Sequence, residues 1–207
     1  MVIAGINRSR LFWLAVLALF TAAASASIRA AIASSLKAEW IDPVAPLSAG
    51  ELIASALGSA FLGFAITLFV TSAFLDQIGM RRMLLGCGAC FVLGTGLIIG
   101  AGALATGMTI YWFVFGGMLL SGIGWGLAEA SINPLTAQLY PEDKTHRLNV
   151  LHAWWPGGLI VGGLAGFFLS ATLPWQGIMA LVMIPAIAVM LIPRRPASRP
   201  PLRARRA

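Results

Sequence analysis

Charge is scarce in this sequence. Asp, Glu, Lys and Arg make up only 10% of its 207 residues, against about 25% in an ordinary soluble domain. Together with a 59% hydrophobic content, that scarcity excludes a soluble fold and points to an integral membrane protein. Cysteine is nearly absent. Cys87 and Cys90 both lie inside one apolar run, so they mark no extracellular disulfide framework. Their C-x-x-C spacing is that of a redox motif, but no βαβ pattern accompanies it, and packing by small residues is the better reading. Histidine is equally rare. His146 and His152 alone suggest no metal site, and no cofactor is expected. No Ser/His/Asp set emerges, and the apolar spans hold a single carboxylate, Glu129, so an enzyme is not expected. The net charge of +7 raises the question of a nucleic-acid partner, but the cations sit in short segments between apolar spans, which argues against one.

What is present is a repeating hydropathy pattern. At roughly 20 residues per crossing, residues 1–193 read as a six-helix transmembrane bundle, with spans at about 11–33, 51–75, 83–105, 109–139, 149–173 and 177–192. The expected fold class is therefore all-α and polytopic. Residues 194–207 read as a disordered basic tail. A signal peptide competes for the first span, because Ala24, Ser25 and Ala26 resemble a cleavage region. The five spans that follow favour a retained helix. Ser34 to Gly50 and Tyr140 to Leu148 read as polar loops. Gly96 with Gly100, and Gly158, Gly162 and Gly166, recur at spacing four and favour close helix approach.

The cations set the topology. Arg8, Arg10, Arg81, Arg82, Lys144, Arg147, Arg194, Arg195, Arg199, Arg203, Arg205 and Arg206 are 12 of the 14 Lys and Arg residues, and all fall on one side. The positive-inside rule then places both termini in the cytoplasm. Of the other two, Lys37 lies in a loop on the opposite side and Arg29 within span one. Thr21, Ser25 and Arg29 form a polar row at spacing four. Arg29 either lines a pathway or snorkels to the near interface, and the sequence leaves both open.

The chain is organised around Gly122 to Asn133, a glycine-rich apolar stretch with Glu129 inside it. A carboxylate at membrane depth is costly and marks a functional site by default. Trp125, Glu129, Asn133 and Thr136 fall on one helical face, where a flat ring, an acid and an amide can hold a polar solute. Hydrogen bonding to neighbouring helices is the plainer alternative for Glu129 and Asn133. The turn after span two carries Asp76, Gly79, Arg81 and Arg82. Opposite charges at adjoining helix ends can form a conformational latch, and Gly79 permits the tight reversal. A simple helix-end charge pattern is the alternative there.

The segment Ser72 to Arg82 resembles the loop signature of the major facilitator superfamily. Asp76, Gly79 and Arg81 match it, while Ser72, Gln77 and Met80 depart. Gly117 sits about where proton-coupled antiporters of the superfamily carry an arginine, which counts against drug efflux. Gly122-x-Gly124, Glu129-Ala-Ser-Ile-Asn133-Pro134 and Arg147-Leu-Asn149 resemble the fucose and hexose permease branch. That resemblance implies one six-helix half of a major facilitator fold, in the plasma membrane, of the bacterial inner-membrane kind. It implies proton-coupled alternating access for a small polar solute such as a sugar. Glu129 would serve in proton coupling and sugar binding, with Asn133 and Asn149 as binding residues, and Trp125 and Arg29 are added from the polar rows. Asp76, Gly79 and Arg81 would gate. Desolvation favours the neutral form of a carboxyl, so a site opening alternately to each side can load and release a proton.

Transporters of this kind have two six-helix halves, with the substrate between them. Besides the lipid bilayer, solute and protons, the expected partner is therefore a second half or a second copy of the chain. A truncated transporter, inactive alone, is the third reading, and the low-complexity tail from Arg199 to Arg206 favours it, although such a tail is also an ordinary cytoplasmic anchor. A non-transporting six-helix scaffold or regulator is the competing functional class.

Overall fold

The computed structural model describes residues 7–191, and every regular element among them is helical. The bundle opens on Asn7, whose side chain accepts the Arg10 backbone N–H at 2.9 Å, an N-cap. Helix α1 runs Arg8–Leu36 and continues through a π-helical turn, Lys37–Ile41. The loop expected from Ser34 therefore begins later. Ser34, Ser35, Lys37 and Glu39 stay helical because they have left the apolar layer, where a polar helix is tolerated. Lys37 Nζ donates to Asp42 Oδ1 at 2.7 Å across the turn, and Pro43 and Pro46 stop the helix.

Helices α2 (Ala49–Ala73), α3 (Leu75–Ile78), α4 (Met80–Leu104), α5 (Thr109–Leu139) and α6 (Lys144–Leu169) follow. The charged stretch after Tyr140 is shorter than expected, because α6 already starts at Lys144 and its first turn carries Lys144, His146 and Arg147. Arg147 Nε stands 3.4 Å from Asp143 Oδ2 there. The last crossing is two pieces, α7 (Trp175–Ala180) and α8 (Met183–Leu191). Pro185 explains the break. It has no N–H to give the carbonyl of Leu181, four residues back. Five helices, α1, α2, α4, α5 and α6, are long and apolar enough to cross a membrane, and Trp175–Leu191 is a shorter apolar helix pair. The basic tail 194–207, with Arg194 to Arg206, and the first six residues lie outside the described residues.

Lipid tails are as apolar as Leu, so helix association in a membrane rests on close packing rather than on escape from water. Glycine supplies that packing here. Helix α5 lies between α2 and α4. A Cβ at Gly122 would collide with the Ala60 carbonyl, and one at Gly126 would stand 2.8 Å from the Phe64 carbonyl oxygen. On the other side, a Cβ at Gly117 would meet the Gly94 carbonyl oxygen at 2.6 Å. Gly124 rests against Cys87 and Cys90 of α4, which are free thiols in packing positions. Helix α6 seats Gly158, Gly162 and Gly166 against Phe20, Ala23, Ala24, Ser27 and Ala31 of α1.

Side-chain bonds tie both ends. Arg8 Nη1 donates to Glu142 Oε1 at 3.0 Å, so the start of α1 and the α5–α6 connection share one side. At the other side Trp175 Nε1 and Gln176 Nε2 donate to Glu39 at 2.6 and 3.1 Å. Helix α1 is the most buried crossing, while α2 and α6 leave broad apolar faces open, including Phe61, Phe69, Phe167 and Phe168.

Candidate functional site

Glu129 stands ten residues before Leu139, the last residue of α5. At 1.5 Å per residue that is about 15 Å from this end and about 30 Å from Thr109 at the other, inside a helix long and apolar enough to cross a membrane. One turn on, Asn133 folds back onto it. Asn133 Nδ2 donates to the Glu129 backbone oxygen at 3.2 Å and to Glu129 Oε2 at 3.1 Å. Its Oδ1 lies 2.9 Å from His152 Nε2 on α6. An acid, an amide and an imidazole thus form one hydrogen-bonded chain across two helices, and all three are half-buried or exposed.

The next rung is aromatic. Trp125 stacks on Phe64 of α2 with ring centroids 3.9 Å apart, and on Trp155 of α6 at 4.9 Å, both nearly parallel. Phe61 meets it edge-on at 5.8 Å. The sugar-facing role expected of Trp125 therefore requires a solute to replace one of these rings. Trp125 Nε1 is buried without a hydrogen-bond partner. Asn133 is likewise engaged at both ends of its amide rather than free to offer a donor and an acceptor. Thr136, expected in the row, is fully buried, and its hydroxyl has no partner.

Two prolines shape the site. Pro134 follows Asn133, and Pro156 follows Trp155. Lacking N–H groups, they leave the carbonyls of Ala130 and His152, four residues back, without their helical donors.

The remaining expected residues are elsewhere. Arg29 is 4% exposed, which rules out snorkelling to the interface in this structure. It lies 21 residues into α1, about 31 Å from the end that borders Glu142, and so about 15 Å from Glu129 in depth. Among the described residues it makes no hydrogen bond or ion pair, and its Nη1 is buried without a partner, as is Ser25 Oγ one turn before. Asn149 is exposed on α6, one turn before His152. Asp76, Arg81 and Arg82 are exposed and unpaired with one another. Gly79 turns the chain between α3 and α4 at φ +83, a conformation that favours glycine. Among the described residues no group of three or more His, Cys, Asp or Glu is placed to hold a metal.

His152 and Trp155 were not singled out as site residues from sequence. A signal existed. The short connection after Leu139 makes α5 and α6 antiparallel, so Asn133, six residues before one end, faces His152, eight residues after the other.

The sequence matches the family model described as Major Facilitator Superfamily over residues 11–207. The chain belongs to the major facilitator superfamily. Its fold is shared with solved members of the transporter class. A crystal structure of a D-xylose-proton symporter superposes with a TM-score of 0.79 at 16% identity, covering 89% of this chain and 47% of that one. The inward-open xylose transporter XylE from E. coli gives 0.73 at 19% identity, covering 92% and 48%. The chain spans about half the length of both. No curated protein sequence gives a significant match. This major facilitator chain is thus a multi-pass membrane protein with the fold of one six-helix half, and its hydrogen-bonded Glu129 lies on the central helix α5 of that half.

Proposed function

We propose that this chain forms one half of a proton-coupled sugar carrier working by alternating access. The Glu129–Asn133–His152 chain inside the crossing helices is the observation that carries this reading. A carboxylate there is costly, and this one is neither sealed in the core nor neutralised by an ion pair among the described residues. That placement suits a group that takes a proton when open to one side and releases it when open to the other. The xylose symporter and the xylose transporter of like fold support a pentose or hexose as the solute. The partner is a second six-helix unit, either another chain or a second copy, covering the open apolar faces of α2 and α6. Asp76, Gly79 and Arg81 gate the side on which Arg8 and Glu142 lie. That side faces the cytoplasm of a bacterial inner membrane. The protein acts as a carrier, without catalytic chemistry of its own.

The test is uptake of radiolabelled D-xylose and L-fucose into proteoliposomes, with and without an inward proton gradient. Glu129→Gln removes the titratable proton while keeping the shape. It is expected to reduce gradient-driven accumulation at least tenfold. Accumulation equal to that of the unaltered protein would sink the role of Glu129. A second reading, a non-transporting scaffold, draws on the occupied faces of Trp125. It expects no uptake from folded protein and no effect of Glu129→Gln on partner binding.

A further inference from the structure

Asn133 determines the chemistry of its neighbour on α6. Its side chain meets two atoms of Glu129, the backbone oxygen at 3.2 Å and Oε2 at 3.1 Å. The backbone oxygen is an acceptor whatever the charge on the carboxyl, so only the amide nitrogen can stand there. Oδ1 is thereby turned to His152 Nε2, 2.9 Å away. An amide oxygen only accepts, so Nε2 must carry a hydrogen. In the neutral ring the other nitrogen, Nδ1, then bears a lone pair and no hydrogen. His152 is exposed, and Nδ1 meets no donor among the described residues. Glu129 Oε1 likewise takes no donor there. Two free acceptors therefore flank the Asn133 amide, one on each helix.

We propose that His152 is a solute-binding residue that accepts a hydroxyl hydrogen of a polyol on Nδ1, with Asn133 as the positioning residue that holds its tautomer. The nature of the solute rests on the transport reading above, whereas the tautomer does not. Free acceptors on both helices fit neighbouring hydroxyls of a sugar, each giving a hydrogen. They disfavour a carboxylate solute, whose oxygens only accept and would meet two further acceptors.

The test uses the full chain in lipid nanodiscs with nitrogen-15 histidine. Two histidines are present, and His146→Gln at the exposed start of α6 leaves the His152 signal alone. The neutral ring is expected as a single Nε2–H tautomer, and Asn133→Leu is expected to give a mixture. D-xylose is expected to move the Nδ1 signal. His152→Leu removes the Nδ1 acceptor and should raise the D-xylose Kd about tenfold, whereas His152→Gln, which keeps an amide donor for Asn133 and a free amide oxygen, should raise it less. A neutral ring carrying its hydrogen on Nδ1 overturns the positioning role. An Nδ1 signal that D-xylose leaves unmoved at saturating concentration overturns the binding role, and this arm needs no change at His152. Failed gradient-driven uptake, with the Nε2–H tautomer and the D-xylose response intact, would count against the transport reading alone.

Discussion

Arg29 and Glu129 are both charged residues inside the bundle, and the fold treats them in opposite ways. Arg29 stands on the face of α1 turned away from α6. The α1 residues that receive the α6 glycines, Phe20, Ala23, Ala24, Ser27 and Ala31, lie about half a helical turn from it at 3.6 residues per turn. It points into the core, with no acceptor among the described residues. Glu129 is only half-buried, holds one donor on Oε2, and is linked through that donor to a second helix. Burial alone is therefore a poor guide to chemistry in this bundle. The group with partners and an open side is the one the proposed mechanism uses, while the sealed group bears the desolvation cost of a charge without a visible return.

That contrast can be broken most severely through the glycine seam. Gly162 has the Ala24 carbonyl oxygen 2.6 Å from where a Cβ would sit. Gly162→Val should push α6 off α1, part His152 from Asn133, and cost about 3 kcal/mol. Chemical unfolding in mixed micelles measures the loss, and the His152 tautomer should become mixed in whatever remains folded. Full stability would mean that α6 is seated elsewhere. Arg29→Met tests the other half of the comparison. Replacing an unpaired buried charge with an apolar chain of similar length should leave stability unchanged or raise it by about 1–2 kcal/mol. A clear fall in the unfolding midpoint would reveal a partner for Arg29. The smallest effect is expected at Glu142→Ala, which removes the Arg8 pair. Both side chains are substantially exposed, at 41% and 58%, so less than about 1 kcal/mol should be lost. A larger loss would move the weight of the fold to the helix ends.

The apolar spans and the spacing of Glu129 with Asn133 were plain in the sequence, because a 3.6-residue period and a 20-residue crossing leave direct marks. Helix ends were less so. Hydropathy falls where α1 leaves the apolar layer, but the helix persists to Ile41, since hydrogen bonding and not hydropathy sets a terminus. The split of the last crossing was written in Pro185, yet a proline is tolerated in so many membrane helices that it gives no break point by itself. Trp125 shares a helical face with Glu129 by spacing alone, but its stacking on Phe64 and Trp155 depends on how far apart three helices stand. The direction of Arg29 likewise follows from which side of α1 the α6 glycines occupy. No spacing within one helix encodes either.

The glycine contacts have a mechanical consequence. Helices that touch backbone to backbone have no compressible layer of side chains between them, so none can roll about its own axis. Helix α5 is clamped in this way by α2 on one flank and α4 on the other, and the bearing of Glu129 is fixed with respect to both. His152 rides on a different pair, α6 seated on α1. Rigid blocks concentrate displacement at the seams between them. Any shearing of the trio against the pair must therefore stretch the 2.9 Å span from Asn133 to His152 and slide Trp125 across Trp155, which makes that seam a strain gauge for the molecule's own motion.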